Sequence, residues 1–382
     1  MTPPSRSGAD VVVVGAGLSG AAAAHELARD GADVLLLDRW APGHQHGSSH
    51  GRTRIVRCAY PDPFWAGLAA RAWRAWQELQ ARSGIVLVRR TGALDHGQDR
   101  DLGSLTAALQ QAGVRHQFVT ADEAAERWPL FRAHTPVLYH DDAGVLDPEL
   151  AIRILIDLAH GYGARTDMHA GVTGVARTRD QVVVTTQAGS SIRAQRVVLA
   201  LGPWLADPDD RPHDVAEYLD EVGAPALQVT QQQVLHLPVR RAGASASMVP
   251  TLVHKGPGQF FCMPAGKVDG TEAVKVGEHD HGTTTSASQR TGVVDPGARA
   301  RMLEFAKHTL PGVVPEPFAE TTCLYTRTPT EDFLLDSTPD GGVVLVSPCS
   351  GHGAKFAPVI GRMVADLVAG QPPPSRFRGA NA

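Results

Sequence analysis

The sequence predicts an α/β fold in which a parallel sheet with helices on both faces is interleaved with a second, mixed-sheet domain. Three observations carry that expectation. An apolar run, Val11–Val14, breaks directly into glycines. Strand-like and helix-like periodicities alternate after it, the pattern of a parallel sheet with crossover helices. Near the C-terminus a buried strand, a glycine-rich loop and a helix return, so a fold entered at one end of the chain is completed at the other. With 382 residues, 43% hydrophobic and 20% charged, there is chain enough for two or three domains of ordinary composition.

Taken in order, Asp10–Val14 reads as a buried strand and Leu18–Arg29 as a helix whose alanines permit close packing. Val34–Leu37 is a second buried strand, closed by Asp38. From about Thr91 the elements become shorter and mixed. Leu150–His160 has helical spacing; Val182–Thr186 and Val197–Leu201 read as strands. Asp207–Pro212, with three Asp and two Pro, is expected to be an exposed loop. Gln228–Leu237 and Gln259–Met263 supply strands of the second sheet. Val343–Ser347 is a strand, and a helix runs from about Phe356 to Val368.

Composition excludes several classes. A formal net charge of −4 offers no basic surface for nucleic acid or anionic lipid. No apolar stretch reaches the roughly 18 residues of a membrane span. The N-terminal tail, residues 1–10, lacks the apolar core of a secretory signal. Cys58, Cys262, Cys323 and Cys349 are scattered, so a reducing, cytoplasmic setting is expected.

The opening turn has the spacing Gly15-x-Gly17-x-x-Gly20 between a strand and a helix. Gly15 allows the tight turn, Gly17 lets backbone approach a pyrophosphate, and Gly20 lets helix and strand pack closely. The phosphates belong at the positive helix N-terminus. Asp38 stands where a carboxylate takes a ribose hydroxyl. This is a Rossmann-type dinucleotide site, which by itself leaves NAD and FAD open. Lys355 lies in a glycine-rich loop at a helix start, where a cation opposes the helix dipole and calls for an anion. Lys275, in the alternating stretch Ala273–Gly277, faces a pocket or solvent.

Three segments then decide between cofactors: HGSSHGRTRIVRCAY at 46–60, CLYTRTPTEDF at 323–333 and SGHGAKF at 350–356. Together with GVLDPELAIR at 144–153, they resemble the monomeric sarcosine oxidase and N-methyltryptophan oxidase family of D-amino-acid oxidase-like flavoproteins. The likeness runs from about Asp10 to Leu367. It implies FAD, held by a thioether between Cys323 and the flavin 8-methyl group. It places Ser48, Val172, Gly202, Gly351 and Gly353 beside the cofactor, with Gly202 ending a strand that passes beneath it. It assigns Arg57 and Lys355 to a substrate carboxylate, and Tyr325 and Phe261 to the substrate pocket. Thr53 and Arg54 lie near the flavin ring, Lys275 favours dioxygen activation, and His279 belongs to the active site. Sarcosine oxidases carry tyrosine where Phe261 stands, a change that favours a bulkier or less polar amine substituent.

The resemblance therefore implies an FAD-dependent amine oxidase. It would act on the C–N bond of a secondary, N-methyl or cyclic, amino acid, forming an imine and reducing O2 to H2O2. A tailoring oxidase of a larger natural-product amine, a flavin dehydrogenase with another acceptor, and a flavoprotein without turnover are the alternatives. The expected partners are a small carboxylate-bearing amine and O2, without nucleic acid, membrane or metal, and the expected state is a monomer. Residues 1–90, 151–222 and 326–382 are assigned to the FAD-binding domain, and 91–150 and 223–325 to the substrate domain.

Overall fold

A computed structural model describes residues 8–240, 249–279 and 281–381. Most of the N-terminal tail and part of the Gln228–Cys262 region thus lie outside the described residues. Strand β1 (Gly8–Val14) turns into helix α1 (Leu18–Arg29), which returns to strand β2 (Val34–Asp38). β1 pairs in parallel with β2 on one side and with Ser191–Leu199 on the other. Arg165–Met168 extends the parallel sheet beyond β2, and Val343–Ser347 extends it beyond Ser191–Leu199. Antiparallel strands Val172–Arg177, Val182–Thr186 and Leu334–Ser337 complete eight strands.

Alternation along β1 shows why it is central. Val11 and Val13 join one core with α1 and the helices Pro63–Ser83, Pro148–Gly161 and Ala357–Val368. Val12 and Val14 point the other way, into a core closed by the Val172–Thr186 ribbon and the short helix Val215–Glu221. A strand buried on both faces reads as a continuous apolar run, as VVVV does.

The second sheet has nine strands. Its spine is Gln228–Pro238, paired antiparallel with Thr271–Glu278 on one edge and with Ala319–Arg327 on the other. Gln259–Val268, Thr251–Lys255, Ala93–His96, Val137–His140 and His116–Val119 follow outward. Helix Pro296–Thr309 packs its Met302 and Phe305 against the back. A small sheet of Arg54–Val56, Gly144–Leu146 and Val88–Arg90 connects the two parts.

Element limits follow the sequence closely: Leu18–Arg29 and Val343–Ser347 form as expected. Two differences have physical causes. Gln259–Val268 continues past Pro264, which cannot donate to a ladder, because the register shifts between Pro264 and Gly266. Asp207–Pro212 is not simply exposed. Asp207 is fully buried and accepts from Ser288 N and Oγ at 2.9 and 2.8 Å, while Asp210 binds the Arg39 guanidinium. The acids that suggested solvent instead tie this loop to two other segments.

Helices α1 and Ala357–Val368 meet through Gly361, where a Cβ would press on the Ala22 backbone. Gly361→Val is expected to cost about 1–3 kcal/mol by overpacking, measured as a lower denaturant midpoint.

Candidate active site

Between the two sheets lies a cavity of about 560 Å³. It gathers nearly every residue singled out above: Gly15, Gly17, Asp38, Ser48, Thr53, Arg54, Arg57, Val172, Gly202, Phe261, Lys275, His279, Cys323, Tyr325, Gly351, Gly353 and Lys355 all line it. Gly20 does not. Its Cα faces the Gly15 carbonyl and the Ala200 side chain, leaving no room for a Cβ, which is the packing role expected of it.

The β1–α1 end suits a dinucleotide. Gly15 adopts φ +102°, and a Cβ there would overlap the Ala200 carbonyl. Gly17, the N-cap, has no side chain to cap the helix, and the first turn holds no acid. Apart from Leu18 N, which donates to Ser49 Oγ at 3.2 Å, the first-turn amides have no side-chain acceptor and suit an anion. Asp38 accepts from Ala16 N at 2.6 Å and Trp40 N at 2.9 Å, which anchors its carboxylate on the cavity wall. Gly351, at φ +74°, passes directly against Tyr325 and His279. These features fit an FAD laid along the cavity, with pyrophosphate on the α1 amides and ribose at Asp38.

Farther in, Arg54 is fastened from its own neighbourhood. It donates to the carbonyls of Thr53, Ser48 and His50, each at 2.8 Å. Ser48 Oγ in turn donates to the Leu324 carbonyl at 2.7 Å, joining this loop to the strand that bears Cys323. Lys275 is buried and donates to the Thr53 carbonyl at 3.3 Å. Burial, aided by the Arg54 charge, lowers its pKa to about 7. Cys323 is half-buried; Cys58 and Cys262 are fully buried core residues. Cys349 also lines the cavity, its Sγ accepting from Thr326 N at 3.4 Å.

The opposite end is built from cations. Lys355 sits in a 3₁₀ turn, Gly353–Phe356, just before the last long helix. Its Nζ donates to Tyr60 Oη at 2.9 Å and to the His352 carbonyl at 2.6 Å. Desolvation and the nearby Arg57 charge hold its pKa well below the usual lysine value. Arg57 donates to the Ala59 carbonyl and lies over the Tyr60 ring, 4.6 Å from its centre. Among the described residues neither cation has a carboxylate within 4 Å, so an external anion would find no competing acid there. His279 is kept neutral, its pKa lowered to about 4 by burial and by surrounding cations. Phe261 faces Gly277 across the ladder, its ring filling the space a Cβ would take.

Sequence reasoning missed Tyr60 and His352. Tyr60 Oη contacts Lys355 Nζ and His352 Nδ1, the latter at 3.1 Å, and so joins two segments almost the whole chain apart. Both residues stood inside the quoted segments, but nothing local in them signals a bond across the fold.

Comparison with known proteins places this geometry. The family described as FAD dependent oxidoreductase (DAO) matches residues 10–367. The chain is 29% identical to human peroxisomal sarcosine oxidase over 373 residues, covering 94% of this chain and 91% of that protein. It is 30% identical to N-methyl-L-tryptophan oxidase of Escherichia coli O127:H6, covering 94% of each. Its fold is similar to the open form of NikD, an unusual amino acid oxidase essential for nikkomycin biosynthesis, with a TM-score of 0.81, 26% identity and 97% of each chain covered.

The lowered pKa of Lys355 has a stability consequence. A lysine depressed in the folded state favours unfolding wherever the unfolded chain holds its proton, below pH about 10.4. That penalty grows as pH falls and levels off below the folded pKa. Lys355→Met should therefore unfold at a higher denaturant concentration than the parent at pH 6, with a smaller gain at pH 9. A carboxylate ligand should stabilise the parent and not the variant.

Proposed function

The chain belongs to the FAD dependent oxidoreductase family, and from that premise we propose that it oxidises a secondary amino acid at its C–N bond to the imine, with O2 reduced to hydrogen peroxide. The cation pair of half-buried Arg57 and buried Lys355 carries this reading, because an amino acid brings the carboxylate they lack.

Bound FAD would supply the acceptor for a hydride equivalent from the substrate carbon and the route for its two electrons to dioxygen. The chain's own residues do the rest. Gly15, Gly17, Asp38, Ser48, Val172, Gly202, Gly351 and Gly353 hold the cofactor. Arg57 and Lys355 bind the substrate carboxylate, and fixing that group fixes the reacting carbon. Tyr325, His279 and Phe261 wall the amine. Their surroundings hold several cations and favour an uncharged amine, the form that can release hydride. Phe261 presents a ring where a hydroxyl would suit a small polar substituent. Thr53, through its carbonyl, positions Lys275 and Arg54. Lys275, with a pKa near 7, takes a proton most readily when negative charge develops beside it, which is when dioxygen receives its first electron.

We assign Cys323 as the point of covalent attachment, with residues 1–90, 151–222 and 326–382 holding FAD and 91–150 and 223–325 shaping the amine pocket. A cytoplasmic setting accords with four free thiols, and the chain is proposed to act as a monomer. None of the described helices is long and apolar enough to cross a membrane.

Two outcomes are expected. Acid precipitation should leave the yellow colour with the parent protein and release it to the supernatant from Cys323→Ser; release from both would remove the thioether. Arg57→Met should lower kcat/KM for an N-methyl amino acid about 10- to 150-fold, the worth of a charge-assisted hydrogen bond of about 1.5–3 kcal/mol. Unchanged kinetics would remove Arg57 from the carboxylate site.

A further inference from the structure

One face of the second sheet runs from the cofactor end of the cavity to its far end. Residues two apart on a strand share a face, and Met263, Phe261 and Gln259 all line the cavity. Lys275 is opposite Met263, and Lys255 is opposite Gln259. Four residues of strand separate those two rungs, about 13 Å at 3.3 Å per residue. Lys275 thus marks the inner end of this wall and Lys255 the outer end, with Phe261 between them.

Lys255 is half-buried on the cavity wall. Among the described residues its ammonium has neither a hydrogen-bond acceptor nor a carboxylate partner. Its place is fixed by the neighbouring loop. Gly97, at φ +118°, lies flat against the Lys255 backbone, and Asp99 N donates to the Lys255 carbonyl at 3.1 Å. The same turn brings Arg100 to the cavity, held by Gly97 through Arg100 N at 3.1 Å and by an ion pair with Asp95. Arg100 is 8% exposed, and its Nε has no partner. Burial, and after it the positive charge of Arg100 and Arg57, lowers the Lys255 pKa, with Glu331 and Asp95 opposing.

Glu331 and Asp95 act on this charge from a distance, but no acid of the cavity wall forms an ion pair with it. Asp38 serves Ala16 and Trp40, Asp62 binds Arg376 at 2.8 Å, Asp210 binds Arg39, and Glu331 binds Arg327 at 2.6 Å. Arg54 is satisfied by three carbonyls. One α-carboxylate suits Arg57 and Lys355, and leaves Lys255 over.

We propose that Lys255, backed by Arg100, binds a second carboxylate of the substrate, so that the enzyme's substrate class is a dicarboxylic secondary amino acid. The second carboxylate belongs to either the side chain or the nitrogen substituent. The proposal rests on the amine-oxidase reading of the same cavity and adds which amino acids are accepted.

The test uses the flavin-loaded enzyme and calorimetric titration with non-reacting acids: succinate, glutarate and adipate against propionate, butyrate and valerate. At least one diacid should bind about tenfold more tightly than its monoacid, about 1.4 kcal/mol. In Lys255→Met that ratio should fall to about one; Lys255→Gln serves if the methionine variant fails to fold. A ratio near one for every pair in the parent enzyme, or a ratio that survives the substitution, overturns the proposal. Turnover then separates the sources. If N-methylglutamate loses kcat/KM in the variant relative to N-methylalanine, the second carboxylate is on the side chain. If N-(carboxymethyl)alanine does so instead, it is on the nitrogen substituent. Diacid selectivity without reduction of the flavin by any of these amines would sink the amine reading and leave the anion site standing. Equal oxidation of N-methylalanine and both diacids by parent and variant would do the reverse.

Discussion

Arg57 and Lys355 bring positive charge into the interior with no carboxylate of the chain beside either, and the architecture of the cavity follows from keeping them there. Each is held only by neutral acceptors: the Ala59 carbonyl for Arg57, Tyr60 Oη and the His352 carbonyl for Lys355. Tyr60 touches both cations and packs among Trp65, Phe356 and His352. An unpaired buried cation is costly unless a ligand completes it. On the proposed reading, the site gives up stability in its free state to gain affinity for a carboxylate, the usual exchange at functional positions.

The fold makes this exchange possible by closing the chain on itself. The segment with Arg54, Arg57 and Tyr60 follows the N-terminal nucleotide turn, while Cys323, Tyr325 and Lys355 come from the C-terminal quarter. The sheet registers bring them together: Val343–Ser347 joins the parallel sheet beside Ser191–Leu199, and Ala319–Arg327 joins the spine of the second sheet. Lys275 arrives from that second sheet and is tied back by the Thr53 carbonyl. Each wall of the cavity thus belongs to a different sheet, and neither sheet alone makes the site.

Local features were legible in the sequence because their causes are local. The Gly15–Gly20 turn, α1 and Asp38 are set by backbone sterics and a short strand–helix–strand path, and they form as read. The Cys323 and Lys355 segments were legible through resemblance. What escaped depended on contacts across the fold. Tyr60 looked like the end of a segment until its hydroxyl met Lys355 and His352. Lys255 and Arg100 carry no local signal, and only the Gly97 turn and the ladder from Thr251–Lys255 to Gln259–Val268 bring them to one cavity. Asp207 looked solvated until Ser288 was seen to donate to it. Sequence periodicity reports which face a residue takes, and it is silent on which distant segment covers that face.

The central claim is that the Arg57–Lys355 pair selects an amine by its carboxylate. It is tested most directly by anaerobic spectral titration of the purified flavoprotein with N-methyl amino acids, each beside the same amine lacking the carboxyl group. The account predicts that the flavin band bleaches with an amino acid and stays unchanged with its decarboxylated partner at equal concentration. Equal bleaching by both would contradict it.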